Sequence, residues 1–292
     1  MSDFLQLIIS GTATGAIYAL AALGFTLLWQ ASGTINFAQG EFVMVPAFLM
    51  LICINDFSMP LWLAFLVTCV VSSLILGVGF KNLIVDPLRR HGVIPLVIAT
   101  LGLSIGVKAF VKATAGAEAQ TFPSIFPDTL IHIGTLNLSW SDLGSLAIAG
   151  AIVYSLQLFL NGTVTGRAMQ AVAQNTEGAT VLGINVKRMV LYTFVINAIL
   201  ATVAALLVTP TYLAKFDMGD SVSLKAFYAA IIGGFNETRG ALLGGVLVGI
   251  LENLVGAYLS PSYKEGVALV LFLVVILFRP EGLLGKVEER KV

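Results

Sequence analysis

Apolar positions in this chain come in long, nearly uncharged runs, not in the alternating or one-faced stripes of a water-soluble fold. No charged side chain stands between Asp3 and Glu41, and the same holds for residues 57–80, 92–107, 143–166 and 189–214. A helix rises about 1.5 Å per residue, so about 20 apolar residues cross the hydrocarbon core of a bilayer. The runs predict helices over residues 4–28, 42–54, 61–80, 93–111, 143–160, 189–209, 226–234, 241–259 and 266–278. The chain reads as an all-α polytopic membrane protein with eight or nine transmembrane helices, one or two of the segments being short or re-entrant. Residues 1–292 form a single transmembrane domain on this reading.

Composition agrees: 58% of residues are hydrophobic and 11% charged, against roughly 25% charged in a soluble domain. The net charge of zero argues against a nucleic-acid partner. Cys53 and Cys69 both sit in apolar runs and read as small core residues, with no partners for a disulfide or a metal. The opening Met-Ser-Asp lacks a basic n-region, so the first apolar run is expected to stay as a spanning helix.

Lys and Arg near helix ends stay cytoplasmic. Lys81, Arg89 and Arg90 mark one inside loop, Arg167, Lys187 and Arg188 another, and Arg279, Lys286, Arg290 and Lys291 an inside tail. Segments 55–60, 112–142 and 210–221 fall outside. Nine crossings satisfy this pattern with the N-terminus outside and the C-terminus cytoplasmic. Lys108, Lys112, Lys215 and Lys225 run against the rule, but acidic residues accompany them.

Small residues recur four apart at Gly11/Gly15, Gly102/Gly106, Gly240/Gly244 and Gly245/Gly249. Such pairs let helix backbones approach closely in lipid, and packing within the chain is the preferred reading for all four. Two polar, glycine-bounded segments interrupt the apolar pattern: residues 33–41, with Pro46 just beyond, and residues 233–240. Both place an Asn beside a Phe ahead of a helix, which suggests an internal repeat. Broken helices at membrane depth are tolerated only where protein or a water-filled cavity surrounds them. The re-entrant, pathway-lining reading leads for the first segment; for the second it stands level with a plain surface turn. Glu252 reads as the only acid deep inside a clear helical span, so it should face the bundle interior and have a partner. It reads as a structural or interface acid. Thr100, Ser104 and Asn197 carry a weaker version of the same ambiguity.

Residues 161–188 form the most informative loop. Ala168, Ala171, Val172, Ala179 and Leu182 form an apolar stripe at helical spacing, with Arg167, Gln174 and Glu177 on other faces. Gly178 interrupts the stripe, predicting two short helices. A short helix lying on the inner membrane surface is what a transport protein needs to receive a push from a soluble motor; a solvated connector is the plainer alternative.

Residues 167–188 and the following Met-Val-Leu-Tyr-Thr-Phe-Val-Ile resemble the coupling loop of branched-chain amino acid ABC permeases of the LivH type. So do Gly15-Ala-Ile-Tyr-Ala-Leu-Ala-Ala-Leu-Gly-Phe-Thr26, Ile35-Asn-Phe-Ala-Gln-Gly-Glu41, Lys225-Ala-Phe-Tyr-Ala-Ala-Ile-Ile-Gly-Gly-Phe235 and Gly240-Ala-Leu-Leu-Gly-Gly-Val-Leu-Val-Gly-Ile-Leu-Glu252. The motifs run through nearly the whole chain in the family's order. One departure is Asn236-Glu-Thr-Arg239, where the family has a small Gly-Ser-like turn.

The resemblance implies a permease subunit of an ATP-driven importer in the bacterial inner membrane, fed by a periplasmic substrate-binding protein. It implies a second permease subunit of the LivM type and two cytoplasmic ATPases of the LivG and LivF type, with leucine, isoleucine and valine, or related amino acids and amides, as cargo. The chain has no Gly-x-x-x-x-Gly-Lys-Ser/Thr loop. It is therefore expected to be no enzyme and to hold no cofactor, with ATP and Mg on the partner ATPases. Arg167, Glu177, Gly183, Lys187 and Arg188 are the candidate coupling residues. Asn36, Phe37, Gln39, Asn197 and Asn236 are the candidate pathway residues, and no residue is catalytic. An ion-coupled secondary transporter would need more intramembrane carboxylates than Glu252. A small-solute channel built on Asn36 and Asn236 would be expected to carry Pro after each Asn, and neither has one.

Overall fold

The computed structural model describes residues 2–33, 35–89, 91–127, 129–133 and 136–285. Thr34 of the first interrupted segment, and Arg90, Lys286, Arg290 and Lys291 of the orientation pattern, lie outside the described residues. The helices are α1 (Ser2–Ser32), α2 (Gln39–Asn55), α3 (Leu61–Ser72), α4 (Asp86–Arg89), α5 (Val93–Ala115), α6 (Trp140–Gly162), α7 (Val164–Gln174), α8 (Thr176–Val181), α9 (Val186–Tyr212), α10 (Met218–Gly233), α11 (Thr238–Tyr258) and α12 (Lys264–Phe278). Two π-helical stretches, Ser73–Gly79 and Lys81–Val85, join α3 to α4 as one rod. A hairpin of β1 (Leu130–Ile133) and β2 (Leu136–Ser139) pairs antiparallel, Leu130 opposite Ser139.

Seven described helical rods are long and apolar enough to cross a membrane: α1, the α3–α4 rod, α5, α6, α9, α11 and Pro261–Phe278. The sequence expectation of eight or nine counts α2 and α10 as well. These two are 17 and 16 residues long, about 25 Å, shorter than a hydrocarbon core of about 30 Å. The hairpin falls within residues 112–142, where the apolar pattern predicts no element. Strands of four residues are too short to display their alternation.

The chain sorts into two compact units that interleave along the sequence. The first takes Met1–Thr26, Phe126–Gly150 and Leu224–Val292. Its packing rests on glycines. A Cβ added at Gly11 would stand 2.7 Å from Ile250 Cα, and one at Gly15 2.6 Å from Gly245 O. From the other side, a Cβ on Gly249 would strike the backbone of Gly15 and Gly11. Gly240 meets Gly233 and Gly244 meets Ala229 in the same way, closing the α10–α11 hairpin. Within this unit Lys225 Nζ lies 2.8 Å from Glu252 Oε1 and donates to Tyr18 Oη at 3.2 Å, all three residues being buried. Glu252 thus has the interior partner its position demands. By the charge rule Lys225 stands as an exception; the fold buries it on α10.

The second unit takes Leu27–Ile125 and Ala151–Ser223. α9 is its spine: 72% of its most apolar window is buried, against 17% for α5. Phe80 meets Phe42 edge-to-face and Phe194 at a tilt, with centroid distances of 5.2 and 5.8 Å, pinning α2 and the π-helical rod to α9. Gly77 lets the π-helical turn lie against Val195, whose Cα would be 3.1 Å from an added Cβ.

One expected glycine pair behaves differently. Gly102 and Gly106 have nothing within 4 Å of where a Cβ would stand, so they pack against no other helix among the described residues. The reason is rotational. Thr100 and Ser104 of α5 are buried, and residues two further along point about 200° away.

Two predictions follow from this packing. Gly249→Leu forces two backbones apart and should destabilise the chain by about 1–3 kcal/mol or more, while Gly102→Leu leaves the melting temperature in detergent unchanged. Lys225→Met strands a buried carboxylate and should cost about 3–5 kcal/mol, most of which the double change Lys225→Met/Glu252→Leu recovers; thermal unfolding of the four variants closes the cycle.

Candidate functional site

The first interrupted segment is a break between two helices. α1 stops at Ser32 because Gly33 takes φ +66, a left-handed conformation that costs glycine little. The chain then runs irregularly to Gln39, where α2 begins. Every polar group freed here needs a partner, and the side chains supply several. Asn36 Oδ1 accepts from Ala38 N at 3.0 Å, which starts the new helix in place of a side-chain cap on Ala38 itself. Thr100 Oγ1 accepts from Phe37 N at 3.3 Å and donates to Val97 O at 2.9 Å. Gln39 and Asn197, both fully buried, exchange two amide hydrogen bonds of 2.8 and 3.0 Å.

Four of the five candidate pathway residues therefore belong to one cluster in the second unit: Asn36, Phe37, Gln39 and Asn197. Asn236 does not share their character. It is exposed, on the turn between α10 and α11 in the first unit. That turn is tight, with Glu237 N donating to Gly234 O at 3.0 Å. Leu283 N and Leu284 N, from beyond α12, donate to Ile232 O and Gly233 O at its edge. The surface-turn reading fits this segment; the buried, cavity-lining character of the first is absent from it.

Sequence reasoning missed an acidic neighbour. Glu41, in the first turn of α2, is 3% exposed and accepts from Ser104 Oγ at 2.8 Å. Lys108 Nζ lies 3.8 Å from Glu41 Oε1 and 2.6 Å from Asp220 Oδ1. Thr100, Ser104 and Lys108 thus line one face of α5 at four-residue spacing. That spacing, which extends the already noted Thr100 and Ser104 by one turn, is the signal that could have added Lys108 to this face. Glu41 also means that Glu252 is not the only acid buried among these helices.

A small cavity of about 10 Å3, enough for roughly one water, lies at the break. It is lined by Leu28, Ser32, Ile35, Asn36, Phe80, Val85, Leu96, Thr100 and Phe194. Asn36 is 5% exposed, and among the described residues its Nδ2 has no hydrogen-bond partner. The same is true of Glu41 Oε2. Buried polar atoms without partners are uncommon and call for a reason.

The loop 161–188 forms two short helices, as its pattern predicts, but the break falls at Asn175, not at Gly178. Asn175 Oδ1 accepts from Gly178 N at 2.8 Å, making Asn175 the N-cap of α8 and leaving Gly178 inside it. Thr163 and Asn185 cap α7 and α9 in the same manner. Gly183, at φ +79, ends α8: Ile184 N donates to Ala179 O and Gly183 N to Thr180 O, each at 3.0 Å. This pair of bonds is a Schellman cap. Met169, Val172 and Ala179 are buried, Ala168 and Ala171 half-buried, and Leu182 is 78% exposed. The apolar stripe therefore ends one turn earlier than expected and includes Met169. Arg167, Glu177, Gly183, Lys187 and Arg188 are all exposed.

Comparison with known proteins matches residues 7–276 to the family described as the branched-chain amino acid transport system / permease component. The chain is 32% identical to the high-affinity branched-chain amino acid transport system permease protein LivH of Salmonella typhimurium, over 99% of this chain and 98% of that one. It is 33% identical to LivH of Escherichia coli K12 and 32% identical to BraD of Pseudomonas aeruginosa, each with the same coverage. Among solved structures, PsaBC from Streptococcus pneumoniae in complex with Fab overlays 96% of this chain and 91% of its own, at 14% identity and a TM-score of 0.47. With seven membrane-length rods, a broken helix near buried amides and family similarity along nearly its full length, this chain belongs to the branched-chain amino acid transport system permease family.

Proposed function

We propose that this chain is the LivH-type half of an inner-membrane importer for branched-chain amino acids, with its N-terminus outside and its C-terminus cytoplasmic. The similarity to LivH and BraD over 99% of the chain carries the reading. The companions are a LivM-type second permease, LivG- and LivF-type ATPases and a periplasmic binding protein. ATP and Mg on those ATPases supply the energy; the residues of this chain bind, orient and gate. The charge pattern supports the orientation, because two of the lysines that run against it have acidic partners: Lys108 with Asp220 and Lys225 with Glu252.

Import in this scheme is a shift between two packed states, driven by differential contacts with the ATPases. The α7–α8 segment is the contact. Its buried stripe holds it to the bundle, and Arg167, Glu177, Lys187 and Arg188 remain free to meet an acidic or basic groove. The break at residues 33–38 is the pathway element, with Asn36, Phe37, Gln39 and Asn197 around it. The secondary-transporter alternative loses ground on geometry. Glu252 is already neutralised by Lys225, and a coupling ion would have to compete with that bond.

Reconstitution decides the function. In liposomes this chain alone should accumulate no leucine against a gradient, whereas the complete complex with binding protein and ATP should; uphill uptake by the isolated chain would refute the reading. Coupling is tested at Gly183. Gly183→Trp imposes left-handed strain of about 1–2 kcal/mol on a cap that has open space around it. Membrane insertion should survive while leucine moved per ATP hydrolysed falls about tenfold, and an unchanged ratio would show that the α8 cap plays no part in coupling.

A further inference from the structure

Two buried polar atoms near the helix break lack partners among the described residues, and they are chemical opposites. Asn36 Nδ2 is a donor and Glu41 Oε2 an acceptor. Both are anchored to α5, Asn36 through its neighbour Phe37 on Thr100 and Glu41 directly on Ser104. Those anchors are one turn apart on one face, about 6 Å along the helix. An α-amino acid offers the complementary pair, a carboxylate and an ammonium on a single carbon. With hydrogen bonds of about 2.9 Å at either end it can bridge groups at such a separation.

Charge favours the same ligand. Glu41 and Asp220 share one cation, Lys108, which sits 2.6 Å from Asp220 and 3.8 Å from Glu41. Glu41 therefore holds the more distant share of one lysine and is one positive charge short. Beside Asn36 and the hydroxyl residues Ser32 and Thr100, the cavity walls are hydrocarbon, among them Leu28, Phe80, Leu96 and Phe194, and Glu41 stands outside this closed lining. The hydrocarbon walls suit an aliphatic side chain and offer a second charge no partner.

We propose that the Asn36 cavity is the solute-selecting neck of the pathway, seen closed: the Asn36 amide donates to the solute carboxylate, Glu41 accepts from its ammonium, and Leu96 and Phe194 gauge its aliphatic side chain. This rests on the reading of residues 33–41 as part of the pathway of an amino-acid importer. The cavity of about 10 Å3 is too small for an amino acid, so the site fills only as the bundle opens. Selection here is by size and by zwitterion, in addition to whatever the binding protein selects.

The test uses the complete complex in proteoliposomes, with labelled leucine and valine delivered by saturated binding protein. Asn36→Asp keeps the oxygen that accepts from Ala38 N but removes the donor and faces the carboxylate with like charge. Leucine uptake per assembled complex should fall by about tenfold or more. Glu41→Gln keeps the acceptor for Ser104, removes the charge, and should do likewise. Leu96→Phe narrows the neck and should lower the leucine-to-valine uptake ratio about fivefold, while Leu96→Ala should raise it. The ratio is independent of how much complex assembles. Uptake by Asn36→Asp within about twofold of the parent, or a ratio unmoved by either Leu96 variant, overturns the site while leaving the importer intact. A parent complex that carries neither leucine nor valine overturns the importer reading, and the site with it.

Discussion

A backbone that leaves the helical conformation inside lipid must find a partner for each N–H and C=O that it frees. The break between α1 and α2 meets that demand with side chains, and much of the second unit is arranged around doing so. Asn36 restarts the helix, Thr100 takes the amide of Phe37, and Gln39 is locked to Asn197 by two bonds between side chains 158 positions apart. A neutral amide pair suits the interior because its members satisfy each other without a buried charge. The pair also fixes the start of α2 against α9 at one register. The polar faces of α5 and α9 thus follow from a single irregularity in the chain.

The same solvent removes the hydrophobic effect as a force between helices, since lipid tails are as apolar as leucine. Close contact must supply the attraction instead. In the first unit glycines of α1 and α11 bring two backbones together, and glycines of α10 and α11 do so again at their hairpin. The Lys225–Glu252–Tyr18 cluster adds direction to that contact. Each charge would be expensive alone; together they specify which face of α10 meets which face of α11.

Much of this was legible in the sequence. Uncharged runs located most of the long helices to within a few residues, because bilayer thickness is a stringent ruler; the run over 61–80 stopped eight residues short of the rod that continues to Leu88. The break at 33–41 was visible as a polar, glycine-bounded interruption, and Asn197 as an isolated amide in an apolar run. The pairing of Gln39 with Asn197 was not, because nothing local links residues so distant in sequence. Glu41 and Lys108 were hidden for a different reason. Each stands at the edge of an apolar run, where a charge normally means water, and only tertiary packing turns them inward. In the loop 161–188 the existence of two helices was readable and their junction was not. Gly178 looks like a breaker, yet Asn175 with its side-chain cap supplies the stronger stop. The outward face of Gly102 and Gly106 was equally undecidable: spacing reveals a smooth stripe but not what lies opposite.

The π-helical rod between α3 and α4 bears on how the cavity at the helix break can diversify. A π turn holds one residue more than an α turn, so gaining or losing one rotates everything beyond it by about 100°. Phe80 stands between the two π-helical stretches of this rod and Val85 closes the second, and both line the cavity at the helix break. Their aim is set by the winding of the backbone upstream as much as by their own identity. A single inserted or deleted residue among positions 73–79 would therefore present a different wall to that cavity while every lining position kept its amino acid.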